Sequence, residues 1–310
     1  IDLMHFPHFN LPIFCPVPFV VTIHDLILKK FSTRRASALG PFLYWFKNLA
    51  YQLVIWLAVK RARKIIAVSH YTKNDILKFF KVRPEKIEVI YEGAPAKKAN
   101  NQQPTTNSFK KNSKLQKFKI SQPYLLYVGN AYPHKNLERL ISAFDKVSHQ
   151  PSAISHQPYQ LVLVGELDYF YKRLKNHTKY KIQDTRYKSI IFTGFVSDAD
   201  LEILYQNASL YVFPSFGEGF GLPPLEAMSF GLPIIASSAG SLPEVLGEAA
   251  LYFDPCDIGE IIKAIKRGLE DEDLRKDLIL NGYEQIKKYS WPKMAQEILE
   301  IYRNIFLGKD

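Results

Sequence analysis

Cysteine is nearly missing from this chain: Cys15 and Cys256 are the only two in 310 residues. A pair so far apart builds neither a disulfide framework nor a zinc ligand set, so both read as reduced thiols and the fold must stand on an apolar core. No apolar run is long and clean enough to read as a bilayer span. The best, from Phe42 to Val59, is interrupted by Lys47, Asn48 and Gln52. The opening residues do not read as a secretory leader, and Ile1-Asp2-Leu3 reads as the middle of a fold, so the first domain is expected to be incomplete. Acidic residues are outnumbered, 30 against 41 basic, for a net charge of +11. Such an excess suggests nucleic acid, but its placement argues against that partner. Lys97, Lys98, Lys110, Lys111, Lys114, Lys117 and Lys119 lie in one acid-free stretch rich in Asn, Gln, Ser and Thr, with Phe109 and Phe118 its only aromatics. That composition reads as a solvated linker, with attraction to anionic lipid as the weaker alternative.

What is present alternates between strand and helix. Strand-type runs stand at residues 2–9, 17–23, 64–69 and 87–90, with a long helical stretch over 37–63 and a helix over 70–80 capped by Ser69. The long helix carries Tyr44, Trp45, Tyr51 and Trp56; burial against the sheet is the first reading, contact with a membrane surface the second. A second set of strands follows at 124–129, 160–165, 189–194, 210–213, 233–237 and 250–254, with helices at 137–144, 198–206 and after Pro223. Helices at 258–269, 272–287 and 291–306 close the chain. This order predicts two parallel, doubly wound α/β sheets. The segment SHQPSAISHQP repeats Ser-His-Gln-Pro and reads as a surface loop, its two histidines leaving metal binding as a lesser alternative.

The rest of the chain is organised around Ser209–Glu226, SLYVFPSFGEGFGLPPLE. Leu210-Tyr211-Val212-Phe213 is a buried-strand pattern, three glycines then open the turn, and two prolines start a helix, where a missing N–H is no loss. Strand, glycine turn and helix N-terminus together bring backbone N–H groups and the positive helix end toward an anion. Glu218 and Glu226 flank the turn. Carboxylates repel phosphate, so they suit sugar hydroxyls, as an acidic residue holds ribose in dinucleotide folds. Phosphate on the backbone and hydroxyls on the acids describe a nucleotide-sugar. Asp198-Ala-Asp200 reads as a helix cap and not as a metal motif, so no metal and no cofactor are expected.

EGFGLPPLE, continuing as AMSFGLPIIASSAGSLPEV, resembles the E-x7-E element of retaining glycosyltransferases with the GT-B fold, the glycosyltransferase family 4-like or "group 1" enzymes. IIAVSHYTKNDI and YVGNAYPHKN resemble two further elements of the same family, and the combination of His24-Asp25, VGNxxPHKN and EGFGLPPLE is most similar to bacterial mannosyl- or rhamnosyl-type transferases that build polysaccharide or glycolipid. The resemblance implies a GT-B fold: two Rossmann-like domains facing a cleft, the N-terminal one incomplete. It implies an acceptor-side domain at 1–96, a linker at 97–120, a donor-binding domain at 121–290, and a last helix, 291–310, crossing back with Trp291 at the junction. It also implies a hexosyltransferase acting from a nucleotide-diphosphate sugar, GDP-mannose first and UDP- or dTDP-sugars next. The acceptor would be a glycan or lipid-linked, the location cytoplasmic or at the inner membrane face.

By the same resemblance, Glu218 touches the donor sugar near the reacting carbon and Glu226 binds the ribose. Lys135 and the N–H groups around Gly219, Phe220, Gly221 and Leu222 stabilise the departing diphosphate. His24, at the end of the strand PFVVTI, faces the sugar; by its residue type alone it is a general base, a hydroxyl partner or a structural histidine. Asn130 lies in the phosphate loop where many relatives carry Arg. Gly165 and Val196 border the base or are plain turn residues. Two rivals stay open: a nucleotide-sugar-binding protein without turnover, and an epimerase or hydrolase of the same fold. A nicotinamide dehydrogenase is excluded by the wrong glycine spacing and place.

Overall fold

A computed structural model describes residues 1–12, 14–31, 41–96, 113–121, 123–148, 158–181 and 189–308. The chain divides into two compact units. One comprises Ile1–Ala94, Gly217–Gly221 and Tyr289–Asp310; the other comprises Pro95–Phe216 and Leu222–Lys288.

In the first unit, β1 (Met4–Phe6), β2 (Phe19–Ile23), β3 (Lys64–Ala67) and β4 (Ile87–Val89) form a sheet in that order. Every pairing is parallel. Strand β2 is buried throughout, as its unbroken run FVVTI requires when both faces are covered. One face packs Val21, Ile23 and Ile65 against Ile55, Ala58 and Val59 of α2 (Pro41–Arg61) and Ile76 and Phe80 of α3 (His70–Phe80). The other face sets Val20, Ile66 and Ile90 against Ile301, Met294 and Ile298 of the C-terminal helix, Trp291–Phe306. That helix starts at Ser290, whose hydroxyl accepts from Lys293 N–H, and Trp291 lies against Gly93. A short helix, α1 (Ile27–Lys30), follows β2.

Helix α2 departs from the first sequence reading. Trp45 and Trp56 are 59% and 47% exposed, and Phe42, Phe46, Leu49 and Leu53 are also exposed. The core side of the helix is carried by Ile55, Ala58 and Val59, with Tyr51 packed against the same core. Residues 37–40, the expected start of this helix, lie outside the described residues.

In the second unit, β5 (Tyr124–Val128), β6 (Gln160–Val164), β7 (Ile190–Gly194), β8 (Leu210–Phe213), β9 (Ile234–Ser237) and β10 (Ala250–Phe253) are all parallel, in the order β10-β9-β8-β5-β6-β7. The chain builds outward from β5 to β7, returns to the other side of β5, and builds outward again. That reversal is a topological switch point between β5 and β8, where open α/β sheets take their ligands. Helix α4 (Ser113–Gln116) lies inside the stretch expected to be linker. Leu115 and Ile120 are buried and Lys117 pairs with Asp200, so this end of the lysine-rich segment is packed; residues 97–112 are outside the described residues. The repeat at 149–157 also lies outside them. Helix α5 (Leu137–Val147) carries one buried face, Leu137, Leu140, Ile141 and Phe144. Helix α6 (Tyr169–Lys181), unassigned in the sequence, follows β6, and α7 (Asp198–Asn207) opens with Ser197 capping Asp200 N–H. The aspartates thus belong to a helix start. After β8 comes α8 (Leu222–Ser229), then α9 (Leu242–Leu246), α10 (Ile258–Glu270) and α11 (Glu272–Ile286), with Trp291–Phe306 as α12.

Candidate active site

In the second unit the loops after β5 and β8 flank the switch point and are bolted together. Phe216 N–H donates to the His134 carbonyl at 2.8 Å, and Asn136 Nδ2 donates to the carbonyls of Pro214 and Pro255 at 3.0 and 2.8 Å. Asn136 is left-handed, φ 60°, a geometry asparagine tolerates better than most residues. These contacts fix Lys135, whose Nζ stands 5.4 Å from the Phe213 ring centroid at the carboxyl end of β8. His134 stacks beside Tyr132, and burial followed by the Lys135 charge pushes its pKa down to about 3. It is therefore neutral, and Lys135 is the cation of this loop. Asn130 is exposed; its side chain accepts from Tyr132 N–H at 3.3 Å, while Tyr127 O–H donates to its carbonyl. Ser215, inside the Ser209–Glu226 stretch but not singled out there, is fully buried beside them, and its hydroxyl has no hydrogen-bond partner among the described residues.

Helix α8 opens Leu222-Pro223-Pro224, so the donors at its start are concentrated in the Gly219–Leu222 amides. Glu226, one turn in, accepts from Tyr205 O–H of α7 at 3.1 Å. Tyr205 is buried, and burial raises its pKa well above the usual phenol value, so it keeps the proton that it donates to the carboxylate. Gly165 follows β6 and lies against the Gly129 carbonyl: a Cβ there would lie 2.2 Å from that oxygen, so only glycine fits. Val196 is buried in the loop after β7, next to the 84% exposed Phe195.

The remaining predicted residues fall in the first unit. His24 follows β2, with Nδ1 2.8 Å from Glu92 Oε1 and Nε2 2.9 Å from the Pro7 carbonyl. The glycine turn approaches its backbone so closely that a Cβ on Gly219 would lie 1.7 Å from the His24 carbonyl oxygen. Two hydroxyls at the start of α3 fasten this arrangement: Ser69 donates to the Gly219 carbonyl at 2.7 Å and Thr72 to the His24 carbonyl at 3.3 Å. Ser69 also accepts from Thr72 N–H, the capping role its position predicts. Glu218 is buried in a small recess shared with Asp25, Lys30, Tyr71, Thr72 and Asp75. Lys30 bridges Asp75, at 2.9 and 3.0 Å, and the Tyr71 hydroxyl; burial alone would lower its pKa, but these partners raise it. Phe220 is buried between Tyr91 and Tyr289, with ring centroids at 6.0 and 5.3 Å.

The structure thus gathers His24, Glu218, Gly219, Phe220 and Gly221 in one unit, and Asn130, Lys135, Gly165, Val196, Leu222 and Glu226 in the other. Sequence reading missed Glu92, Tyr205 and Ser215. The first two act on partners 68 and 21 residues away, a pairing no local pattern marks. Among the described residues no group of three or more His, Cys, Asp or Glu converges as a metal site.

Two parallel α/β sheets, the second in Rossmann order with a lysine and a glycine-turn helix at its switch point, are the architecture of the GT-B fold. Residues 1–98 match the family model for Glycosyltransferase Family 4 and residues 108–285 that for Glycosyl transferases group 1. The chain belongs to this family and is a hexosyltransferase. It is 31% identical over 304 residues to O-antigen chain mannosyltransferase B of Escherichia coli, covering 97% of this chain and 74% of that protein. It is 29% identical to O-antigen chain mannosyltransferase RfbU of Salmonella typhimurium, covering 89% and 70%. Among solved structures it is similar to sucrose-phosphate synthase from Thermosynechococcus elongatus, with a TM-score of 0.75 at 22% identity, covering 99% of this chain and 74% of that one.

Proposed function

We propose that this enzyme transfers mannose from GDP-mannose to a glycan or lipid-linked acceptor, with retention at the anomeric carbon and without a metal, while seated on an anionic membrane surface. The mannosyl assignment rests on the likeness to the two O-antigen mannosyltransferases, which extends over most of the chain. The observation that carries the chemistry is the placing of Lys135 and the N-terminus of α8 on loops flanking one switch point.

When the anomeric C–O bond breaks, its electron pair departs on the diphosphate. Fixed donors that need no reorganisation stabilise that charge most effectively. Lys135, held by the Asn136 and His134 contacts, and the amides at the start of α8 are such donors, and Ser215 Oγ is a buried hydroxyl free to turn toward a phosphate oxygen. Glu226, aimed by Tyr205, suits the ribose hydroxyls. Glu218 suits the sugar hydroxyls, since a buried carboxylate gains most from polar hydrogens that reach it.

The membrane part rests on α2. Phe42, Trp45, Phe46, Leu49, Leu53 and Trp56 recur at helical spacing along its solvent side, opposite the face that packs on the sheet. Phe42–Arg61 is the one candidate span among the described residues, yet its last turns belong to the core of the first unit, so it suits lying on a bilayer. Its C-terminal end joins Lys60, Arg83 and Lys86, whose like charges, after burial, depress the Lys86 pKa; anionic headgroups relieve that repulsion.

The test is a panel of GDP-, UDP- and dTDP-hexoses, with glycan and polyprenyl-linked acceptors, read by mass spectrometry for transfer and hydrolysis. Transfer from GDP-mannose above the other donors is expected. Turnover restricted to a UDP- or dTDP-sugar would overturn the donor assignment, and hydrolysis alone would overturn transfer.

A further inference from the structure

Both ring nitrogens of His24 are engaged by acceptors. Nε2 meets the Pro7 carbonyl, which has no proton to give, so Nε2 must carry the hydrogen of that bond. Nδ1 meets a Glu92 carboxylate oxygen. If the carboxylate is ionised, Nδ1 carries the second hydrogen and the ring is a cation. If the proton shifts along that bond, Glu92 becomes the donor and Nδ1 the acceptor. In neither arrangement does a ring nitrogen offer a lone pair to substrate, so a base role requires this pair to lose its shared proton first.

We propose that Glu92 is a positioning residue that holds His24 as a doubly protonated donor, so that His24 meets the donor substrate as a hydrogen-bond donor and fixed positive charge and not as a general base. The protonation state stands on the first unit's geometry alone; the meeting with substrate rests on the transferase reading above.

The surroundings agree. Glu92 is 9% exposed, where a charged partner interacts more strongly than in water. The hydrogen bond to Glu92 raises the His24 pKa above the ordinary histidine value; burial opposes it, and the Pro7 contact and the Glu92 and Asp25 charges add to the rise. His8, with its ring centroid 6.2 Å away, is the cation that could compete, and burial and then His24 itself push its pKa down. The two bonds differ in exposure. The Glu92 bond is part-buried, while the Pro7 bond is on the exposed side of a ring whose side chain is 41% exposed. The Pro7 carbonyl is therefore the partner that a sugar hydroxyl or phosphate oxygen of the substrate replaces, accepting from Nε2–H.

The test is a pH titration of the histidine 13Cε1 and 15N resonances of the full chain, with the His24 signal assigned by its loss in His24→Gln. The parent is expected to keep both His24 nitrogens protonated at neutral pH, with a midpoint above neutrality and so above the ordinary 6.5. In Glu92→Gln the midpoint should fall to that value or below, and Glu92→Asp should restore part of the rise. A parent midpoint at or below neutral pH, or no change in Glu92→Gln, would overturn the proposal. Transfer by Glu92→Gln should in turn decline above its lowered midpoint, by about tenfold per pH unit for loss of one essential proton, where the parent stays level. A parent with a charged His24 that transfers no sugar would sink the transferase reading and leave the protonation state intact.

Discussion

At the scale of single residues the site separates two kinds of work. Lys135 is a charge on a fixed loop, whereas Glu218 is a buried carboxylate beside the glycine turn. Their variants should therefore fail differently. Lys135→Ala should weaken GDP binding by about 1.5–3 kcal/mol, the range for a charge-assisted hydrogen bond, as measured by calorimetry. Glu218→Ala should abolish transfer while leaving GDP affinity within a few-fold of the parent; equal loss of both would remove Glu218 from its role at the sugar. Lys135 and both glutamates stood out in the sequence because they lie in segments that resemble family elements, with glycines, prolines and an apolar strand around them. Glu92, Tyr205 and Ser215 were not readable. Each matters through a neighbour or a buried environment, and neither leaves a trace in local spacing.

At the scale of elements the turn after β8 and the start of α3 act together. Ser69 and Thr72 read as cap and helix residues in the sequence; in the structure the same hydroxyls also hold the Gly219 and His24 carbonyls. Gly219→Ala should force these strands of backbone apart. A loss of about 1–3 kcal/mol in stability by denaturant unfolding is expected, the cost of inserting a methyl into packed space. Unchanged stability would mean that the turn stands clear of His24. The strands were legible because parallel strands buried on both faces are nearly unbroken apolar runs; their order in the sheet was not read from the sequence. Helix α6 was not: Phe170, Tyr171, Leu174 and Thr178 are its buried positions, diluted among lysines and other polar residues. The exposure of α2 was only the second reading, because a helix apolar on two sides reads first from sequence as one that is buried. Leu49→Glu with Leu53→Glu should remove most co-sedimentation with vesicles containing anionic lipid while leaving transfer to a soluble acceptor nearly unchanged. Undiminished sedimentation would release α2 from the membrane role.

At the scale of the whole molecule the chain is two parallel α/β sheets, and in the second a reversal of strand order fixes where a ligand can meet several loops at once. That reversal cannot be read from any one segment, but it follows once six parallel strands are placed in Rossmann order. Lys135 and Ser215 lie on the loops that follow the strands bordering it, and Leu222 and Glu226 on the helix after β8. The most direct measurement is a crystal structure of the chain with GDP. The diphosphate is expected at the loops following β5 and β8, within hydrogen-bonding reach of Lys135 Nζ and of the amides at the start of α8, with the ribose at Glu226. A diphosphate bound elsewhere, with these two loops empty, would contradict the account.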